Sequence, residues 1–168
     1  MLLKPHPQNL PFAVESIDAT CWREGNRWHF RYLVDGTSQL LLPDSAAPGR
    51  ADGLWQTTCF EAFVGERGGA YFEFNFAPSG QWAAYAFDGP CEGMRETDAQ
   101  VEIWLEGGED WIALEAAVRG IDLKPELPLG LTAVIEEEGD RKSYWSLVHP
   151  DGPPDFHQRS CFLARLPE

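Results

Sequence analysis

LWQTTCFEAFVGERGGAYFEFNFAPSGQWAAYAFD, residues 54–88, decides the fold. It divides into three extended runs separated by GERGGA and PSGQ. In the first run Leu54, Phe60, Ala62 and Val64 occupy the even positions, against Trp55, Thr57, Cys59 and Glu61 at the odd ones. In the second, Phe72, Phe74 and Phe76 alternate with Tyr71, Glu73 and Asn75. Side chains on a strand point alternately to opposite faces, so the pattern predicts strands whose phenylalanine row faces a core and whose mixed row faces outward.

Pairing constrains that mixed row. If both apolar rows share one core, Glu61 lies opposite either Glu73 or Asn75, because directly opposed residues project from the same side. Opposed Cβ atoms are roughly 5 Å apart and diagonal neighbours roughly 7 to 8 Å apart. Two carboxyl groups and a carboxamide thus share one patch. Like charges so placed destabilise a sheet unless a hydroxyl-rich ligand, a cation or a shared proton offsets them. The third strand has two possible registers, one placing Trp82 on the polar face and the other Tyr85.

The surrounding chain reads the same way. With 168 residues it has the length of one domain, 1–168, and its 16 Gly and 13 Pro are scattered through it as turns. Extended segments recur at spacings of roughly ten residues, the pattern of a sandwich or barrel. They fall at 12–22, 27–34, 39–42, 101–105, 111–118, 131–135, 144–148 and 161–166. PDSAAPGRADG and HPDGPPDFHQ are the polar loops most suited to help form a site. The Pro- and Leu-rich connection 120–130 has room for a single helical turn. EEEGD, 136–140, has the wrong spacing for an EF-hand and reads as a charged turn. The class is all-β.

A formal charge of −14 argues against nucleic acid and anionic membranes as partners, since both attract the Lys and Arg clusters missing here. MLLKPHPQNLPF has neither the apolar run of a signal peptide nor a membrane span, so a cytoplasmic location is expected. Cys21, Cys59, Cys91 and Cys161 are widely spaced without a C-x-x-C pair, which favours reduced thiols, with Cys59 and Cys161 as small core residues. Oligomeric state is left open.

LWQTTCFEAF, YFEFN, SYWSLVHP and PDFH resemble the bacterial DOMON-like proteins, distant relatives of the family 9 carbohydrate-binding modules. The resemblance covers most of the chain from about Trp22 onward. It implies an immunoglobulin-like or jelly-roll β-sandwich of two antiparallel sheets that binds sugar or haem on one sheet. Carried over by position, the binding row falls on Trp55, Glu61, Glu73 and Asn75, with Trp145 and the late loop closing over it; beside Leu147, Trp145 reads equally as a core residue. Sugar- and haem-binding relatives are usually secreted, whereas no export signal is visible here. Haem-binding relatives use Met and His as axial ligands, and only Met94 is available besides Met1.

Sugar recognition needs flat apolar faces for the C–H side of a ring and planar carboxylates and amides for its hydroxyls. Trp55, Tyr71, Glu61, Glu73 and Asn75, joined by Trp82 or Tyr85, provide both. His149, His157 and Asp155 match no common zinc spacing, and loop histidines commonly anchor turns. The expected function is therefore non-catalytic binding of a saccharide or similar polar molecule, without a metal or other cofactor. The alternatives are haem, held by His149 or His157 with Met94, and a protein-interaction module using exposed aromatics. Catalysis is disfavoured: Glu61 and Glu73 lie on one flat surface rather than on either side of a scissile bond, and no G-x-S-x-G, H-E-x-x-H or Walker loop is present.

Overall fold

The computed structural model describes residues 1–168, Arg67 by its backbone alone. Its strands are β1 (Lys4–Pro5), β2 (Ser16–Glu24), β3 (Arg27–Asp35), β4 (Leu40–Leu41), β5 (Gly49–Arg50), β6 (Cys59–Gly65) and β7 (Tyr71–Phe76). They continue with β8 (Gln81–Phe87), β9 (Arg95–Glu96), β10 (Gln100–Gly107), β11 (Trp111–Arg119), β12 (Pro128–Glu137), β13 (Arg141–Ser146) and β14 (Ala164–Arg165). The larger sheet runs β1-β13-β12-β6-β7-β8-β5, with β4 and β14 also on β12 and β9 on β8; the smaller runs β10-β11-β3-β2. The chain is thus a β-sandwich. Its sheets are antiparallel but for the two-residue pairing of β5 with β8, which is parallel.

The even-numbered row of β6 and β7 does face a core. Phe60, Ala62, Val64, Phe74 and Phe76 are buried against Phe30, Tyr32 and Val34 of β3 and Leu114, Ala116 and Val118 of β11. Phe30 lies 5.7 Å from Phe76 and Tyr32 lies 5.0 Å from Phe60, ring centre to ring centre. Each such side chain, fully withdrawn from water, contributes about 1.5–3 kcal/mol. The Tyr32 hydroxyl, at the core's polar limit, donates to the Glu61 carbonyl at 2.5 Å.

The odd row departs from expectation, because it is not an outward face. Phe63, Tyr71, Phe87 and Val134 are buried beneath a second layer made by Phe156, Cys161 and Phe162. Gly130 is what lets that layer approach: a Cβ there would lie 2.9 Å from the Phe162 ring. All seven residues of β6 are consequently buried.

Other segments also differ from the sequence pattern. The first run does not begin at Leu54: Gly53 adopts a left-handed φ of 71°, and Leu54–Gln56 form a 3-10 turn before β6 starts at Cys59. The connection 120–130 contains no helical turn, and Leu123 is instead buried in the inter-sheet core. Of 161–166 only Ala164–Arg165 is strand, Cys161 ending a 3-10 turn. Nor does the first strand begin at Phe12, because residues 12–14 form a strap rather than part of β2.

That strap is tied to Glu137, a carboxylate buried at the end of β12. Glu137 accepts the backbone N–H groups of Phe12 at 2.8 Å, Ala13 at 2.6 Å and Val14 at 3.0 Å. Arg141 stands 4.3 Å over the Phe12 ring. Part of the EEEGD segment is therefore an internal anchor and not a solvated turn. Glu137→Ala, which strands three amides, is expected to destabilise the fold by about 3 kcal/mol in urea titration and to speed hydrogen exchange at residues 12–14 before other amides.

Candidate functional site

Strand register places two rungs side by side on the odd face of the larger sheet. One is Thr132–Glu61–Asn75–Ala83, and the next is Phe63–Glu73–Tyr85. Asn75, not Glu73, therefore stands opposite Glu61, and the two glutamates are diagonal neighbours, roughly 7 to 8 Å apart along the sheet. The same register puts Tyr85 on this face. Trp82, opposite Phe76, turns to the other side and packs against the inter-sheet core.

Over these rungs lies a cavity of about 850 Å³. Glu61, Glu73, Phe63, Tyr85, Phe87 and Val134 form its floor, all contributed by strands. One wall is Asp52, Gly53 and Trp55, from the loop and 3-10 turn that precede β6. The rest of the lining comes from Tyr144, the late loop from Pro154 to His157, Asn9, Cys91 and Met94. Trp55 is 56% exposed at the rim because the turn lifts it off the sheet.

The floor is polar but almost dry. Glu61, 3% exposed, accepts the Thr132 hydroxyl at 2.9 Å through Oε2. Glu73, 6% exposed, accepts the Asn75 amide at 2.7 Å through Oε1. Burial pushes the Glu61 carboxyl up to about 8, with the nearby Glu73 charge adding to the effect. Burial raises Glu73 as well, against the opposing pull of its Asn75 hydrogen bond and of His157. Two such groups hold a proton readily and surrender it to a cation or a stronger set of donors.

The walls are held by their own hydrogen bonds. Tyr85 donates its hydroxyl to Asp52, which also pairs with Arg50 at 2.8 Å. The Tyr85 bond, then the Arg50 bond, holds the Asp52 carboxyl below its ordinary range. Arg50 in turn sits 5.4 Å from the Tyr85 ring and 3.1 Å from Glu96. On the opposite side Tyr71 stacks on Phe87 at 4.7 Å, and its hydroxyl meets His157 Nδ1 at 2.7 Å while accepting the Cys91 amide at 3.2 Å. His157 also lies 3.9 Å from Glu73 Oε2, and its backbone N–H donates to Asp155 at 3.0 Å.

The sequence-derived site residues therefore separate into groups. Trp55, Glu61, Glu73, Tyr85 and His157 line one cavity. Asn75 and Tyr71, on the same face but outside the lining, support it by binding Glu73 and His157. Trp145 does not close over the face: it is 2% exposed in the inter-sheet core, its indole N–H donating to Ser143 at 2.9 Å. His149 is likewise apart, donating from Nε2 to the Lys4 carbonyl at 2.8 Å with its ring edge-on to His6. Asp52, Phe87, Tyr144 and Phe156 join the lining without a motif that marks them, although Asp52 and Phe156 belong to the two loops read as site-forming. Among the described residues no group of three or more His, Cys, Asp or Glu has the arrangement of a metal site. No helix among them is long and apolar enough to cross a membrane.

No protein-family model matches the chain, and no curated protein matches it either. Among solved structures, it is similar to one described as a "putative carbohydrate-binding protein" from Bacteroides uniformis. The two align with a TM-score of 0.64 over 95% of this chain and 83% of the other, at 15% sequence identity. At that identity the likeness is one of fold.

The buried floor gives stability a definite pH dependence. In the unfolded chain Glu61 returns to about 4.5, whereas in the folded chain it stays protonated to about 8. Between those values the folded state binds more protons, so this contribution falls as pH rises and is lost above the folded value. Urea midpoints measured from pH 5 to 8.5 are expected to decline for the natural chain, and Glu61→Gln, which cannot ionise, is expected to flatten the decline.

Proposed function

We propose that the chain is a non-catalytic binding protein that takes a saccharide or similar polar small molecule in the cavity above Glu61 and Glu73. The observation that carries this reading is the pair of nearly dry carboxyl groups on a strand-built floor, open to a cavity whose walls include Trp55, Tyr85, Tyr144 and Phe156. Carboxyl oxygens fixed by neighbouring hydrogen bonds are pre-oriented acceptors for hydroxyls, and aromatic rings suit the apolar face of a sugar. The volume, about 850 Å³, is that of a small-molecule site. The similarity in fold to the "putative carbohydrate-binding protein" of Bacteroides uniformis supports this reading. So does the resemblance of LWQTTCFEAF, YFEFN and PDFH to DOMON-like proteins, which we take as the chain's affiliation, with 1–168 as one such domain and the cytoplasm as its compartment.

A binding role fits better than glycoside hydrolysis, because both carboxyl groups rise from adjacent strands of one floor rather than from opposite walls. Haem is the second reading, favoured by one observation: Met94 and His157 line the same cavity. Against it, the cavity lining offers no lysine or arginine among the described residues to pair with propionates. A Soret band on titration with haem, lost in Met94→Ala and His157→Ala, would establish that reading instead.

Tryptophan fluorescence against a panel of mono- and disaccharides tests the main proposal. At least one sugar is expected to give a saturable change, with affinity reduced about fivefold, or about 1 kcal/mol, in Trp55→Ala. A flat response to every sugar of the panel would count against a saccharide ligand.

A further inference from the structure

The charge of the cavity narrows the ligand further, on the premise that the saccharide-type site proposed above is the right one. Among the described residues its lining includes Asp52, Glu61, Glu73 and Asp155 but no lysine or arginine. Asp52 and Asp155 are engaged within the protein. Asp52 accepts from Arg50 and Tyr85, and Asp155 accepts the His157 backbone N–H at 3.0 Å and the Gln158 amide at 3.1 Å.

The two floor carboxyl groups are engaged on one side only. Glu61 Oε2 and Glu73 Oε1 hold Thr132 and Asn75, respectively. Glu61 Oε1 accepts no hydrogen bond from a described residue, and Glu73 Oε2 has only His157 Nδ1, at 3.9 Å, beyond hydrogen-bond reach. Since Glu61 and Glu73 are both more than nine-tenths withdrawn from water, these acceptors face the cavity and little else. They are the open hydrogen-bonding positions of the cavity floor.

We propose that this ligand is a sugar bearing a protonated amine, which donates to the free oxygens of Glu61 and Glu73 while the ring body lies against the aromatic walls. An ammonium group has three donors and no acceptor, so once it displaces the proton held on the floor it meets both groups as acceptor-only carboxylates. A neutral hydroxyl could fill the same hydrogen bonds but brings no charge to drive the shared proton off the floor. An ammonium offsets the charge left when that proton departs, and the faces of Trp55, Tyr85 and Tyr144 attract a cation as well. The overall charge of −14 concentrates cations around the protein before they bind.

Calorimetric titration of the full chain at pH 7 and low salt tests this. Glucosamine, galactosamine and mannosamine are compared with glucose, galactose and mannose, with the three N-acetylated forms, and with tetramethylammonium. At least one amine is expected to bind about tenfold or more tighter than both its parent and its N-acetyl form, and Glu61→Gln or Glu73→Gln is expected to reduce that advantage to about threefold or less. Circular dichroism and urea midpoints confirm that both isosteric variants remain folded. A parent or N-acetyl sugar that binds as tightly as its amine overturns the charge assignment and leaves the saccharide reading standing. Binding of tetramethylammonium without any sugar upholds the cation preference and overturns the sugar. Failure of every probe overturns both.

Discussion

Strand β6 buries every one of its residues, and the rest of the molecule follows from having to cover it on both sides. On the even side the smaller sheet provides the cover, so Phe60, Ala62 and Val64 meet Phe30, Tyr32 and Val34 in a continuous apolar core. On the odd side no third sheet exists among the described strands. The cover there is made from loops: Phe156 and Phe162 pack on Phe63, while the turn at 54–56 raises Trp55 at the far wall. Loops cover a sheet incompletely, and the gap between these walls is the cavity.

Glu61 and Glu73 fall inside that gap because of strand parity. Both are on the odd face and neither lies under Phe162, so each keeps one oxygen toward open space. A sheet built only for stability would place apolar residues or a satisfied pair there, since unneutralised buried carboxylates are costly. The contrast with Glu137 is instructive. That carboxylate is more deeply buried, yet three backbone amides converge on it, and its role is to hold the N-terminal strap. Glu61 and Glu73 have no comparable set of donors from the protein, and so call for one from outside.

The period-two pattern of YFEFNF and its neighbours carried the sandwich, the core row and the crowding of Glu61, Glu73 and Asn75, because parity is a local property. Register was legible only as alternatives: parity alone could not choose between Trp82 and Tyr85, which PSGQ allowed equally, and the observed pairing Glu73↔Tyr85 settles it. Long-range contacts were not legible. Trp145, beside Leu147, reads as core or as site alike, since its fate depends on which face of β13 meets the smaller sheet. Glu137 reads as a surface charge until residues 12–14 are known to cross it, and Gly130 reads as an ordinary break until Phe162 is seen to fill its space. The late loop's sequence suggested site formation, but not that its aromatics would bury the face they border.

The central claim is that the floor of the cavity is dry and its two carboxyl groups hold a proton that a ligand can displace. Carbon-13 titration of the Glu61 and Glu73 side-chain carboxyl resonances in the free protein measures this directly. The account predicts that both ionise above the ordinary carboxylate range, Glu61 near 8, with each titration sensitive to replacement of the other by Gln. Ionisation of both groups independently near 4.5 would mean a wet, uncoupled floor, and would contradict it.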